Sequence, residues 1–245
     1  MADDGFEVPR LAQLYDPLDP DRGDLDVYVA IVDELGARSV LDVGCGTGTF
    51  ALLLAARGID VVGVDPAEAS LDVARGKPGS DAVRWVHGDA TSLGDVRVDV
   101  ATMTGNVAQV FVADEEWVAT LDALHAALVE GGHLVLETRR PEREAWREWT
   151  REATHQVTEV DGVGSVETWV DVTEVVGDLV TFRATWVFAS DGAVLTSDST
   201  LRFRDRSMVE RSLAEAGFDV VDVREAPDRP GKEMVFVARR RDGQP

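Results

Sequence analysis

The sequence predicts an α/β fold, a doubly wound sheet of parallel strands that carries an antiparallel β insertion. Three observations predict it. From Ser39 onward, short β-branched runs (SVLDV, DVVGVD, VRWVHGD, VDVATMT, HLVLET) alternate with amphipathic stretches at Thr49–Arg57, Ala67–Arg75 and Asp114–Leu128. Strand, helix, strand in that order requires parallel pairing through right-handed crossovers. After Thr138 the period changes: VETWVDVTEVV, LVTFRATWVFA and AVLTSDSTLRF are separated by GD and SDG turns, which is hairpin grammar. Finally, VLDVGCGTGTF packs three glycines into five positions between an apolar strand and a helix.

The elements follow in order. Residues 1–38 read as two helical pieces around the turn-rich YDPLDPDRGD. Residues 39–154 and 205–245 form the core, and residues 155–204 the antiparallel insertion. Pro141 is expected to open one charged helix, PEREAWREWTREA, with Trp146 and Trp149 three apart on one face. In the insertion, Val180, Phe182, Ala184, Trp186 and Phe188 alternate with more polar residues, as in a strand with one buried face. Ser207–Ala216 is a helix stopped by Gly217, and FDVVDVRE and EMVFVARR are two final strands.

Composition narrows the function classes. With 245 residues and 44% hydrophobic content, the chain suits one elaborated α/β domain. No apolar run approaches the roughly 20 residues needed to cross a bilayer. MADDGFEVPR lacks the basic and apolar regions of a secretory signal. A single cysteine, Cys45, forms no intramolecular disulfide, so a cytoplasmic location is expected. Net charge is -22, with acids outnumbering bases 46 to 24. Such a surface repels phosphate backbones and anionic lipids, so neither nucleic acid nor membrane is expected as a partner. His87, His125, His133 and His155 lack metal-ligand spacing, and no metal is expected.

A glycine-rich strand-to-helix turn lets a ligand approach the backbone and leaves helix N–H groups facing it. Here the loop reads GxGxG at Gly44, Gly46 and Gly48, with Thr49 where a dinucleotide fingerprint has glycine or alanine. Asp42 precedes the loop, Asp65 ends the next strand, and Asp89 follows the third. Three acids at the carboxyl ends of successive parallel strands converge on the crevice where such sheets bind ligands. Asp65 is placed to accept from two ribose hydroxyls.

VLDVGCGTGTFALLLAARGIDVVGVD resembles the first two motifs of class I S-adenosylmethionine-dependent methyltransferases, and HGDA resembles their third. The resemblance implies a Rossmann-like seven-stranded sheet with a reversed last strand. It implies that Gly44, Cys45, Gly46 and Gly48 line the methionine and ribose portion of S-adenosylmethionine. Asp65, followed by Pro66, would hold the ribose diol, and Asp89 and Ala90 would flank the adenine. TGNVAQV (Thr104–Val110) is similar to a segment of glycine N-methyltransferase-like and amino-sugar N-methyltransferases. That likeness implies cofactor contact at Thr104 and Gly105. It also implies an acceptor role for Asn106, a carboxylate anchor at Arg139, and an N-terminal segment with Tyr15 folded over the cofactor. The sequence departs from those enzymes around Arg139, where Pro141 follows closely.

Methyl transfer from a sulfonium needs mainly position and water exclusion. Asn106, by orientation, and Glu137, by proton acceptance, are the candidate catalytic residues. Trp146 and Arg139 are the candidate acceptor contacts. No decisive general base appears, which favours an amine nitrogen over a hydroxyl on a small-molecule acceptor. O-methylation, a non-catalytic cofactor-binding protein and a nicotinamide-dependent oxidoreductase are the alternatives. The insertion serves either as a lid or as the contact surface of a homodimer.

Overall fold

In the computed structural model, residues 3–243 are described. Residues 1–2 and 244–245, the outer ends of the first and last segments above, lie outside the described residues. Eleven strands form two sheets. Strands β1 (Ser39–Val43), β2 (Asp60–Asp65), β3 (Val83–His87), β4 (Val98–Met103), β5 (Leu128–Arg139), β10 (Phe218–Arg224) and β11 (Glu233–Arg240) make a seven-stranded sheet in the order β10-β11-β5-β4-β1-β2-β3. Strands β1 to β5 pair in parallel, and β11 runs antiparallel to both of its neighbours. Strands β6 (Gln156–Val160), β7 (Gly164–Val176), β8 (Leu179–Phe188) and β9 (Val194–Arg202) form a separate antiparallel sheet.

Period-two alternation assigns the core. Val40, Val100 and Val135 face one apolar cluster with Tyr28, Ile31, Phe50 and Leu54. Their neighbours Leu41, Ala101, Leu134 and Leu136 face the other, with Trp117, Leu121, Leu124, Val209 and Leu213. Successive residues of a strand point to opposite faces, so burial on both faces requires the near-continuous apolar runs seen in the sequence. Helices α4 (Asp26–Glu34) and α5 (Thr49–Ala55) cover the first face; α7 (Asp114–Ala127) and α9 (Arg206–Glu215) cover the second. Helix α6 (Glu68–Gly76) connects β2 to β3.

Of the two helical pieces expected around YDPLDPDRGD, the second is α4, the first is split into two four-residue helices, α1 (Asp4–Glu7) and α2 (Pro9–Ala12), and the turn-rich stretch itself carries a third, α3 (Tyr15–Leu18). The segment after β5 also departs from expectation. In place of one helix it makes 3-10 turns at Pro141–Arg143 and Ala145–Glu148, then the short α8 (Arg151–Thr154). Glu144 takes a left-handed conformation at φ 44°, and the two indoles leave any common helical face. Trp146 stacks edge-on against Phe203 at 4.5 Å, and Trp149 against Phe182 at 5.1 Å. Packing two half-buried tryptophans against the insertion outweighs the modest helix propensity of the charged residues between them. Strand β6, which pairs with β7, was not anticipated.

Gly48 caps α5 at φ 79°, and a Cβ there would stand 2.4 Å from the Trp85 ring and 2.9 Å from Ala74. Gly48→Ala therefore combines left-handed strain with overpacking. We expect a loss of about 2–4 kcal/mol, read as a lower denaturant midpoint. Gly46→Ala, with nothing within 4 Å of the added Cβ, should lose only the backbone-strain part.

Candidate functional site

A cavity of about 390 Å³ opens at the carboxyl ends of β1, β2, β3 and β4, within the usual size of small-molecule sites. Its floor is the glycine loop: Gly44, Cys45, Gly46 and Thr47 line it, with Asp42 behind them. Asp65 and Pro66 after β2, Asp89 and Ala90 after β3, and Thr104 and Gly105 after β4 complete that side. Tyr15 stands on the wall with Phe6 and Arg22, all three from the chain before α4. Val107, Val110 and Phe111 continue the wall beyond Gly105.

Asp65 does two things. Its Oδ2 accepts the Gly46 amide at 2.8 Å and its Oδ1 the Ala67 amide at 2.8 Å. The carboxylate thus pins the glycine loop while facing the cavity, with lone pairs left for a ligand. Burial raises its pKa, and the two amides oppose the rise. Gly46 meets nothing within 4 Å where a Cβ would stand, so its backbone is open to a ligand. At Gly44 a Cβ would stand 2.5 Å from Val107; there glycine lets the loops after β1 and β4 touch.

Asp42 is 1% exposed, and its only side-chain donor is the Thr102 hydroxyl at 3.0 Å. Burial, reinforced by Asp65, pushes its pKa up to about 7, against the hydrogen bond from Thr102. A buried carboxylate without a cation sits on the wall of the cavity. Asp89 lies nearer the surface and caps the turn at Ala90–Ser92, its Oδ1 accepting from the Thr91 amide at 2.8 Å. Burial raises the Cys45 thiol, with the charges of Asp42 and Asp65 adding to the rise. Cys45 is therefore a poor nucleophile.

Several expected site residues stand elsewhere. Gly48 is absent from the wall and packs on Trp85. Asn106, Glu137, Arg139 and Trp146 are also off the wall. Glu137, 3% exposed, accepts the Asn106 amide at 2.9 Å on one oxygen and the Tyr28 hydroxyl on the other. Burial and the nearby charge of Glu233 raise its pKa to about 7. Asn106 sits at φ 62° and donates its side-chain amide to Glu233 at 3.1 Å. Arg139 donates to Gln109 at 3.0 Å and lies 3.7 Å from Glu233. These residues fasten the loop after β4 to the sheet from beneath. Glu137 has both oxygens engaged and lies off the cavity wall. Arg139 is engaged beneath the loop, off the cavity wall.

The sequence reading missed three basic residues. Among the described residues Arg22 is the single basic side chain on the cavity wall, and it pairs with Asp24 at 3.1 Å. Arg204, 3% exposed, donates to the carbonyls of Ala108 and Phe111, and Arg202 reaches the Val112 carbonyl and Asp114. The end of β9 thereby holds the loop after β4 from the insertion side. Arg22 lies in the turn-rich YDPLDPDRGD, and that position next to Tyr15 was the available signal. Arg202 and Arg204 carried none, because their partners are about 90 residues away in sequence. Among the described residues no three His, Cys, Asp or Glu side chains gather as a metal site, and no helix is long and apolar enough to cross a membrane.

A family model described as a methyltransferase domain matches residues 40–132. The match covers β1 to β4 and α7, the part of the core that carries the glycine loop. The cypemycin N-terminal methyltransferase of Streptomyces is 37% identical over 125 residues, 51% of each chain. The chain thus spans about half the length of the curated relatives it matches. Among solved structures, a sugar N-methyltransferase from Streptoalloteichus has a TM-score of 0.72 at 23% identity, covering 93% of both chains. The S-adenosylmethionine-bound amino pentose methyltransferase from Micromonospora echinaspora has a TM-score of 0.68 at 24% identity, covering 90% of this chain and 93% of that one. At those identities the structures show a shared fold across core and insertion.

The buried acid makes the core pH-sensitive. The folded pKa of Asp42 is raised above its ordinary value of 3.8, to about 7. Its stabilising contribution is complete below pH 3.8 and is lost as pH rises through 7. Asp42→Asn, which keeps an acceptor for Thr102, should raise the melting temperature of the ligand-free protein at pH 8. That gain should shrink towards pH 4. Thermal melts across that range measure it; an equal effect at both ends would contradict the raised pKa.

Proposed function

We propose that this chain transfers a methyl group from S-adenosylmethionine to a small-molecule acceptor, and that the acceptor atom is an amine nitrogen. The observation that carries the reading is the convergence of the open Gly46 backbone, the loop-pinning Asp65 and the cation-free Asp42 on one cavity. When bound, the cofactor supplies a methyl already activated on sulfur. The residues present fit it. Asp65 has lone pairs for the two ribose hydroxyls. Ala90 and Asp89 offer an apolar contact and a polar edge for the base. Asp42 suits the ammonium of the amino-acid portion and Arg22 its carboxylate. Tyr15 and Phe6 would exclude water from the same side.

Nitrogen is favoured by the charge of the wall. Asp3, Asp42, Asp65, Asp89 and Glu116 stand on it against Arg22 alone. Such a surface draws a protonated amine from solution. The positive sulfonium then disfavours the protonated form beside it, freeing the nitrogen lone pair. Some relatives' names support the same choice, an N-terminal methyltransferase, a sugar N-methyltransferase and an amino pentose methyltransferase, while others are named for O-methylation. The insertion and the residues before α4 would act as the cover of the site.

Calorimetry tests the reading. S-adenosylhomocysteine should bind at pH 7 and release about half a proton as Asp42, poised near 7, ionises against the ligand ammonium. Repeating the titration in buffers of different ionisation enthalpy counts that proton, and Asp42→Asn should abolish it. NAD should not bind. Turnover over a panel of small amines and hydroxyl compounds should favour the amines. Tight NAD binding with no response to S-adenosylhomocysteine would overturn the methyltransferase reading, and turnover confined to hydroxyl compounds would overturn the choice of nitrogen.

A further inference from the structure

The chain before α4 is held to two different partners by two different kinds of contact. Leu11 and Leu14 are buried to 3% and 1% exposure in a cluster with Val160, Val166 and Phe188. Every other member of that cluster comes from the insertion or from this same segment. Arg10 stacks over the Phe188 ring at 3.5 Å and pairs with Asp191 at 2.8 Å, and the Gly5 amide donates to Ser197. Helices of four residues cannot hold themselves in water, so this apolar contact sets where α1 to α3 lie. They belong mechanically to the insertion.

Towards the core, α1 and α2 lie against α6, and the polar contacts centre on one residue. Asp16 accepts from the Thr47 hydroxyl at 2.8 Å and the Thr49 hydroxyl at 3.3 Å on Oδ1, and its Oδ2 stands 2.6 Å from Lys77 Nζ. Lys77, one of two lysines in the chain, closes the ring by donating to Thr49 at 3.1 Å. Thr47 and Thr49 belong to the glycine loop and the first turn of α5, and both line the cavity. Tyr15, adjacent to Asp16, lines it too. Lesser polar contacts join Phe6 to Ser70 and Glu7 to the Glu68 amide.

We infer that α1 to α3 and the four-stranded sheet move as one cover, and that Asp16 is the residue that latches this cover to the glycine loop and so controls how fast the cofactor leaves. The physical basis is an asymmetry of exchange. Water replaces a hydroxyl–carboxylate or ammonium–carboxylate contact at small net cost, whereas separating the Leu11–Leu14–Phe188 cluster exposes apolar surface. Opening therefore occurs at the Asp16 side. Asp16 is a positioning residue, since its carboxylate is fully engaged with Thr47, Thr49 and Lys77.

The inference rests on the proposed cofactor, and one experiment separates the two. Dissociation of S-adenosylhomocysteine is followed by stopped-flow after displacement, for wild type, Asp16→Ala, Lys77→Met, the double variant and Arg183→Ala. Arg183 pairs with Asp198 on the exposed face of the insertion and serves as the control. The expected result is dissociation about five- to tenfold faster in each latch variant. The double variant should show no further full increment, because both changes break one ring. Arg183→Ala and the acceptor KM should be unchanged. Wild-type dissociation rates in folded Asp16→Ala and Lys77→Met overturn the latch while leaving the cofactor assignment intact. Fully additive increments show two independent contacts and also overturn it. If Asp16→Ala fails to fold, Lys77→Met alone decides by the same criterion. No binding by the wild type removes the cofactor assignment and the latch together.

Discussion

Two backbone amides, of Gly46 and Ala67, converge on the carboxylate of Asp65, and the site is built around that convergence. Parallel pairing of β1 with β2 puts Asp65 one residue beyond the Val43–Val64 pair, directly beside the start of the glycine loop. A loop with three left-handed glycines has little conformational preference of its own. The carboxylate supplies the missing constraint, because at the rim of the parallel sheet one side chain reaches both the loop after β1 and the loop after β2. Gly44 against Val107 and Gly48 against Trp85 then fix the loop on either side. Gly46 is left as the part of the loop free to meet a ligand.

A second constraint comes from below. The loop after β4 forms one wall of the cavity, and it is fastened by polar groups that never reach the cavity. Glu137 holds it through the Asn106 amide, and Arg204 through two carbonyls. A left-handed Asn106 is uncommon for a non-glycine residue, and the buried bonds from both ends of its side of the loop over-determine it. The shape of the wall therefore depends on residues that do not line the cavity.

What the sequence made legible follows from the range of the forces involved. The core strands and helices are written in local periodicity, since burial on both sheet faces demands continuous apolar runs and burial of one helix face demands a 3.6-residue period. The acids of the cavity wall were legible for the same reason, because each stands at or just beyond the carboxyl end of a strand whose position in the sheet is set by topology. Long-range pairing was not legible. The charged stretch after Pro141 has a helical composition, yet Phe203 and Phe182 draw Trp146 and Trp149 away from one another, and those partners are remote in sequence. Arg139 was singled out because it closes a strand. Arg202 and Arg204, at the end of β9, hold the wall instead, and Arg22 faces the cavity from a turn with no periodic signal.

The distribution of charge ties the cavity to the rest of the molecule. A net charge of -22 makes the surface strongly acidic, and the cavity continues that sign inward with Asp42 and Asp65. Burying acids without a cation costs folding stability, since desolvation raises both pKa values. A folded protein that retains such groups is least comfortable empty and gains most when a cation arrives. Asp65 relieves part of the cost through two amides, and Asp42 has one hydroxyl. The remaining imbalance lies at Asp42, on the floor of a cavity whose cover is held to the glycine loop through Asp16. A cationic ligand that satisfies Asp42 also occupies the space under Tyr15 and Phe6. The electrostatic relief of the floor and the closure of the cover then favour the same state, through contacts that are separate in sequence and adjacent in the fold.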